Sequence, residues 1–140
     1  MRTVRKISSP REVKESLAPL FKEAGLQLVL LFGSMASGKA NEKSDIDLGF
    51  LLDESKNILD LTNSAIRLLK NDSIDVVDLR LADPLLKFIA ATKGKLLYER
   101  TPGLFNSFYS LAVRRYLDTK KLRKAQEMFV NSYIRERNLL

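Results

Sequence analysis

The sequence predicts a mixed α/β domain of the α+β type: a small mixed sheet, helices packed mainly on one face, and a C-terminal helical extension. Three observations carry this. Short apolar runs bounded by turn residues recur at Leu26–Phe32, Ile46–Leu52 and 74–79. Segments with helix caps and 3.6-residue periodicity lie between and before them. Beyond Pro102-Gly103 the pattern is helical throughout, with no further strand signal.

Taken in order, Ser9-Pro10-Arg11-Glu12 is a capping box: Ser9 at the N-cap, Pro10 at the first helical position and Glu12 reaching back. The predicted helix carries Val13, Leu17, Leu20 and Phe21 at helical spacing and stops at Gly25. Leu26–Phe32 is apolar except for Gln27 and reads as a buried strand. After a polar stretch, Ile46–Leu52 reads as a second strand and 53–57 as a turn. Residues 58–70, with apolar side chains at 58, 61, 65, 68 and 69, form an amphipathic helix. A third strand follows at 74–79. Asp83-Pro84 caps a short helix ending near Gly94, and 95–98 is a fourth strand. From Leu104 to about Arg137 the chain is helical, with room for a break near Asp118-Thr119.

Composition narrows the chemistry. The 140 residues, 45% hydrophobic and 29% charged, suit one globular domain with a real core. There is no cysteine and no histidine, which excludes thiol nucleophiles, imidazole acid–base catalysis and zinc held by His or Cys. Catalysis must run on carboxylates, hydroxyls, Lys, Arg and backbone. The N-terminal segment lacks the apolar stretch of a signal peptide, and the longest apolar run, 28–32, is too short to span a bilayer. A cytoplasmic protein without a membrane partner is expected. The formal charge of +7 is uneven: residues 101–140 hold eight Lys/Arg against three Asp/Glu. That basic tail is either a solvated helix face or a surface for nucleic acid or an acidic partner.

The informative segment is Gly33-Ser34, ten residues, then Asp45-Ile46-Asp47. A strand delivers Gly33-Ser34 at its end, and Asp45-x-Asp47 opens the next. Side chains alternate across a strand, so Asp45 and Asp47 share a face. Two carboxylates so close repel each other unless a cation lies between them. Such hard oxygen donors suit Mg²⁺, which takes one or two protein carboxylates together with water and substrate phosphate oxygens. Gly33 permits close approach of a phosphate, and Ser34 offers a hydroxyl and a backbone N–H to it. Either half alone means little; in this order, between two strands, they suggest a site that holds a triphosphate while an acceptor attacks the α-phosphorus.

Gly-Ser, ten residues and Asp-x-Asp resembles the signature of the DNA polymerase β-like nucleotidyltransferase superfamily, above all its minimal (MNT) members. The apolar strand before Gly33, Gly38 in the loop and Ser44 before Asp45 are similar too, and the resemblance spans about residues 10–100. It implies Mg²⁺ and ATP, with Gly33, Ser34, Lys39 and Ser44 on the nucleotide side. Minimal members often carry arginines after Gly-Ser, where this chain has Met35 and Ser37. Positive charge near the phosphates then falls to Lys39 or Lys43. The superfamily takes a third carboxylate from the next strand, here Asp75 or Asp78. These face opposite sides of a strand, so only one can join Asp45 and Asp47. Asp78 shares its face with Ile74 and Val76. Asp75 matches the family position and is favoured, as general base and third metal ligand.

More narrowly, the chain looks like the MntA-type adenylyltransferase antitoxins of HEPN/MNT toxin–antitoxin pairs. The Asp-Val-Val-Asp-Leu-Arg strand, the Gly94 to Glu99 segment and Arg115-Tyr116-Leu117-Asp118-Thr119 carry that likeness. It implies transfer of AMP from ATP to a tyrosine of a HEPN ribonuclease, which is thereby silenced. On this reading residues 1–100 are the minimal nucleotidyltransferase domain and 101–140 a helical extension of it. Phe105, Phe108, Tyr109, Ala112, Tyr116, Leu122, Ala125, Phe129 and Tyr133 give that extension an apolar face, serving core packing or partner docking. Rival readings are an inert module that silences the toxin by binding alone and a transferase acting on a small-molecule acceptor. A nucleic-acid binder ranks last, because the aromatics follow the apolar period and do not interleave with arginines. Homo- and hetero-oligomers both remain open.

Overall fold

Local signals start the helices where they stand. The computed structural model describes residues 9–33, 46–53 and 56–137. Helix α1 (Pro10–Leu17) opens with the Ser9 hydroxyl accepting the Glu12 N–H at 3.3 Å. Helix α2 (Ile58–Leu69) is capped by the Asn57 side chain on the Leu59 N–H and ends at Lys70 in the left-handed conformation. Helix α3 (Pro84–Lys93) is capped by Asp83 on the Leu86 N–H at 2.8 Å. Each cap satisfies an N–H that the first helical turn leaves without a carbonyl.

One helical expectation needs correction, and one open point is decided. The first helix does not run to Gly25: α1 ends at Leu17 and a 3₁₀ segment takes Ala18–Lys22. Pro19 has no N–H to continue the α ladder, and its ring would press on the carbonyl one turn back. The last helix, α4 (Leu104–Glu136), is unbroken across Asp118-Thr119. The Thr119 hydroxyl donates to the Tyr116 carbonyl at 3.0 Å, a bond made without leaving the helix.

Strands β1 (Leu26–Phe32), β2 (Ile46–Leu52), β3 (Ile74–Asp78) and β4 (Lys95–Glu99) form one mixed sheet in the order β3-β2-β1-β4. β1 pairs antiparallel with both β2 and β4, and β2 pairs parallel with β3. The parallel pair needs a crossover, and α2 supplies it.

The larger core lies between the sheet and α1, the 3₁₀ segment and α2. It contains Val13, Leu17, Leu20, Leu61, Ala65 and Leu69 against Leu31, Leu48 and Phe50. Phe50, fully buried, is worth about 3–5 kcal/mol against truncation to Ala. A smaller core on the opposite face joins Leu30, Leu79 and Ala90 to Phe32, Leu51, Phe105 and Phe108. Helix α3 and the first half of α4 therefore cover part of the second face. Phe88 of α3 stacks on Tyr116 of α4 with ring centroids 4.1 Å apart. Among the described residues no helix is long and apolar enough to cross a membrane.

The tail aromatics divide. Phe105 and Phe108 pack into the smaller core, while Phe129 and Tyr133 are exposed. From Lys120 to Arg137 the chain is exposed apart from the half-buried Ile134.

Candidate active site

Strand register builds the site. In the parallel β2–β3 pair Asp47 lies directly beside Asp75, and Ile46 beside Ile74. Side-by-side partners on neighbouring strands point to the same face, about 4.8 Å apart. Their neighbours show which face that is. Ile46, Leu48, Ile74 and Val76 belong to the larger core, so Asp47 and Asp75 project from the opposite side. Asp75 is exposed and Asp47 half-buried.

The end of β1 completes this corner. Phe32 pairs with Asp47 across the antiparallel ladder, and Gly33 follows at φ +78°. A Cβ built on Gly33 would collide with Oδ2 of Asp47 and stand 3.1 Å from its Cγ. Glycine here does two things: it adopts a left-handed backbone at no steric cost, and it leaves the space that the Asp47 carboxylate occupies. The carboxylate is held against main chain at the point where β1 ends, a contact that the sequence reading of Gly33 as a phosphate neighbour did not include.

Asp78 is engaged elsewhere. It lies opposite Phe50 in the register, at the far end of β3. Its Oδ1 accepts the Arg80 N–H at 3.0 Å, and its Oδ2 pairs with the Arg80 guanidinium at 3.2 Å. Arg80 in turn donates to the Asp53 carbonyl at 2.8 Å, tying the ends of β2 and β3 together. This is an Asx turn reinforced by a charge, and the Asp-x-Arg spacing is its signal in the sequence. Of the two candidates, the structure brings Asp75 next to Asp47 and gives Asp78 a structural partner.

Asp45, Ser34, Lys39 and Ser44, with Met35 and Ser37, lie outside the described residues. Among the described residues no three acidic side chains cluster into a metal-binding group. The pair that is described still suits a hard divalent cation: two carboxylates from adjacent strands, one of them exposed, with oxygen donors only.

A glycine closes one strand, a carboxylate stands near the start of the next, and a second carboxylate lies in register beside it. The Polymerase beta nucleotidyltransferase family matches residues 15–102, and the chain belongs to that family. It is similar to protein adenylyltransferase MntA of Aphanizomenon flos-aquae (strain 2012/KM1/D3), at 30% identity over 92% of this chain and 95% of that one. A chain of a toxin–antitoxin crystal structure with AMP-PNP superposes with TM-score 0.71 at 30% identity, covering 84% of this chain and 97% of its own. A chain of the complex between a tri-AMPylated Shewanella oneidensis HEPN toxin and an MNT antitoxin gives TM-score 0.67 at 28% identity, with 86% and 97% covered.

Proposed function

We propose that this chain is a cytoplasmic, Mg²⁺-dependent protein adenylyltransferase that moves AMP from ATP to a tyrosine of a HEPN ribonuclease toxin and so acts as its antitoxin. The observation that carries this is the register of Asp47 beside Asp75, on an open corner of the sheet against Gly33. The near full-length similarity to an adenylyltransferase and to chains of toxin–antitoxin complexes supports the acceptor class.

Asp45, Asp47 and Asp75 would hold the cation, and Gly33, Ser34, Lys39 and Ser44 the triphosphate. Mg²⁺ held there would supply charge to offset that gathering on the α-phosphate. Gly33 keeps the Asp47 carboxylate in place by leaving room for it. Asp75, exposed and with no ion pair among the described residues, takes the proton of the acceptor hydroxyl. The acceptor oxygen bonds to the α-phosphorus, the bond to the β-phosphate bridge breaks, and pyrophosphate leaves.

Mixing the chain with the toxin, ATP and Mg²⁺ tests the reading. Intact-mass spectrometry should find whole AMP units added to the toxin, with loss of its ribonuclease activity in parallel. Asp45→Asn and Asp47→Asn should add none while remaining folded. Silencing without any mass gain would replace enzymatic inhibition by inhibition through binding alone.

A further inference from the structure

Helix α4, 33 residues long, extends past the part of the domain it packs on. Its first half covers the smaller core through Phe105 and Phe108, and its second half is solvated on nearly every side. A helical stretch without tertiary contacts is marginal in water, and this one exposes large apolar side chains. Leu122 is 58% exposed and Phe129 71% exposed, with Tyr133 also exposed.

These side chains continue a feature of the domain itself. A cavity of about 280 Å³ opens between the ends of β2 and β3 and the first half of α4. Leu51 and Leu79 line it from the sheet side, and Leu104, Leu111 and Arg115 from the helix. Leu122, Phe129 and Tyr133 follow Leu104, Leu111 and Arg115 by eighteen residues each. Eighteen residues are about five full turns, so both sets lie along one line of the helix. Along about 44 Å from Leu104 to Tyr133, at about 1.5 Å per residue, this side of the helix carries two apolar patches, Leu104 and Leu111 at the cavity and Leu122, Phe129 and Tyr133 beyond it, with Arg115 and Asp118 between them. The cavity lies on the sheet face that carries Asp47, because Leu51 points the same way four residues along β2.

Charge selects the occupant. The cavity is rimmed by Arg80, Lys87 and Arg115, and no acidic residue lines it. Arg80 is paired with Asp78, whereas Lys87 and Arg115 make no ion pair among the described residues. Helix α4 as a whole holds seven Lys/Arg against three Asp/Glu. A second copy of this helix would set cations against cations. A partner helix with an apolar face and flanking carboxylates fits the same surface.

We propose that the cavity and the distal half of α4 are one docking groove for an amphipathic, acid-flanked helix of the protein that receives AMP. The inference rests on the proposed function for the identity of that protein, and it assigns the groove the task of presenting the acceptor to the Asp47 corner. An apolar side chain of the partner fills the cavity, its carboxylates face Lys87 and Arg115, and its next turns pack on Leu122 and Phe129.

Binding of the full chain to the toxin, measured by calorimetry without ATP, tests docking apart from chemistry. Phe129→Asp should weaken binding roughly tenfold or more, as loss of an interface anchor does. Lys87→Glu with Arg115→Glu should weaken it in a salt-dependent way. All of these are surface changes outside the nucleotide site, so AMP-PNP binding and the circular dichroism spectrum should stay as in the wild type. Wild-type toxin affinity in both variants would overturn the groove, as would absence of toxin binding by the unaltered chain. Sedimentation showing a dimer that Phe129→Asp dissociates would give the face to a second copy and equally overturn the proposal. Toxin that binds through the groove but gains no AMP would sustain the docking inference and sink the adenylyltransferase reading instead.

Discussion

Replacing Gly33 by alanine separates two costs that the structure places at one residue. The first is conformational: at φ +78° an L side chain costs about 1–2 kcal/mol. In a chain of this size that lowers the melting temperature by roughly 3–10 °C. The second is local: the new Cβ takes the space of Oδ2 of Asp47, so that carboxylate must swing away from its place beside Asp75. Gly103 supplies the control, because it sits at φ +95° with nothing within 4 Å of where a Cβ would stand. Gly33→Ala and Gly103→Ala should therefore lose similar stability in thermal melts followed by circular dichroism. Only Gly33→Ala should lose AMP transfer to the toxin, by about a hundredfold, the scale for misplacing a catalytic group by about 1 Å. Transfer at the wild-type rate by folded Gly33→Ala would refute the claim that this contact positions Asp47. An equal loss in Gly103→Ala would assign the effect to stability.

The other outcomes concern single carboxylates and one ion pair. Asp75→Asn should cut kcat steeply at unchanged melting temperature. Asp78→Asn keeps its bond to the Arg80 N–H but loses the charge pair, and should cost about 1 kcal/mol of stability with transfer little changed. The reverse pattern in a melt and a single-turnover assay would exchange the two roles. Lys56 donates to Glu23 at 2.8 Å, and that hydrogen bond and charge raise its pKa above the usual 10.5. The stability gained is complete below the unfolded value and is lost as pH climbs through the folded one. Alkaline unfolding curves of Glu23→Gln should therefore fall less steeply above about pH 10.5 than those of the wild type, and identical slopes would dismiss the linkage.

Much of the fold is legible in the sequence because its causes are local. Ser9, Asn57 and Asp83 cap helices through N–H groups two or three residues away, and the apolar runs of β1 and β2 end where the strands end. The placement of Gly33 and Asp47 about strand ends is legible for the same reason, as is the absence of histidine and cysteine chemistry. Pro19 is a local signal too, and it outweighs the apolar period that would carry the first helix on to Gly25.

Tertiary structure decided what depends on partners distant in sequence. No spacing says that β3 pairs parallel to β2 with Asp75 one strand over from Asp47, since register is chosen by which faces the whole sheet buries. The family position already favours Asp75 over Asp78; the folded chain adds the physical reason, since Asp78 holds Arg80, and Arg80 the end of β2. The apolar period of the tail is the same along its length, yet half of it is core and half exposed. Periodicity records which side of a helix is apolar; where the domain beneath it stops is set by the packing of α3 and the sheet, and that is a property of the folded chain alone.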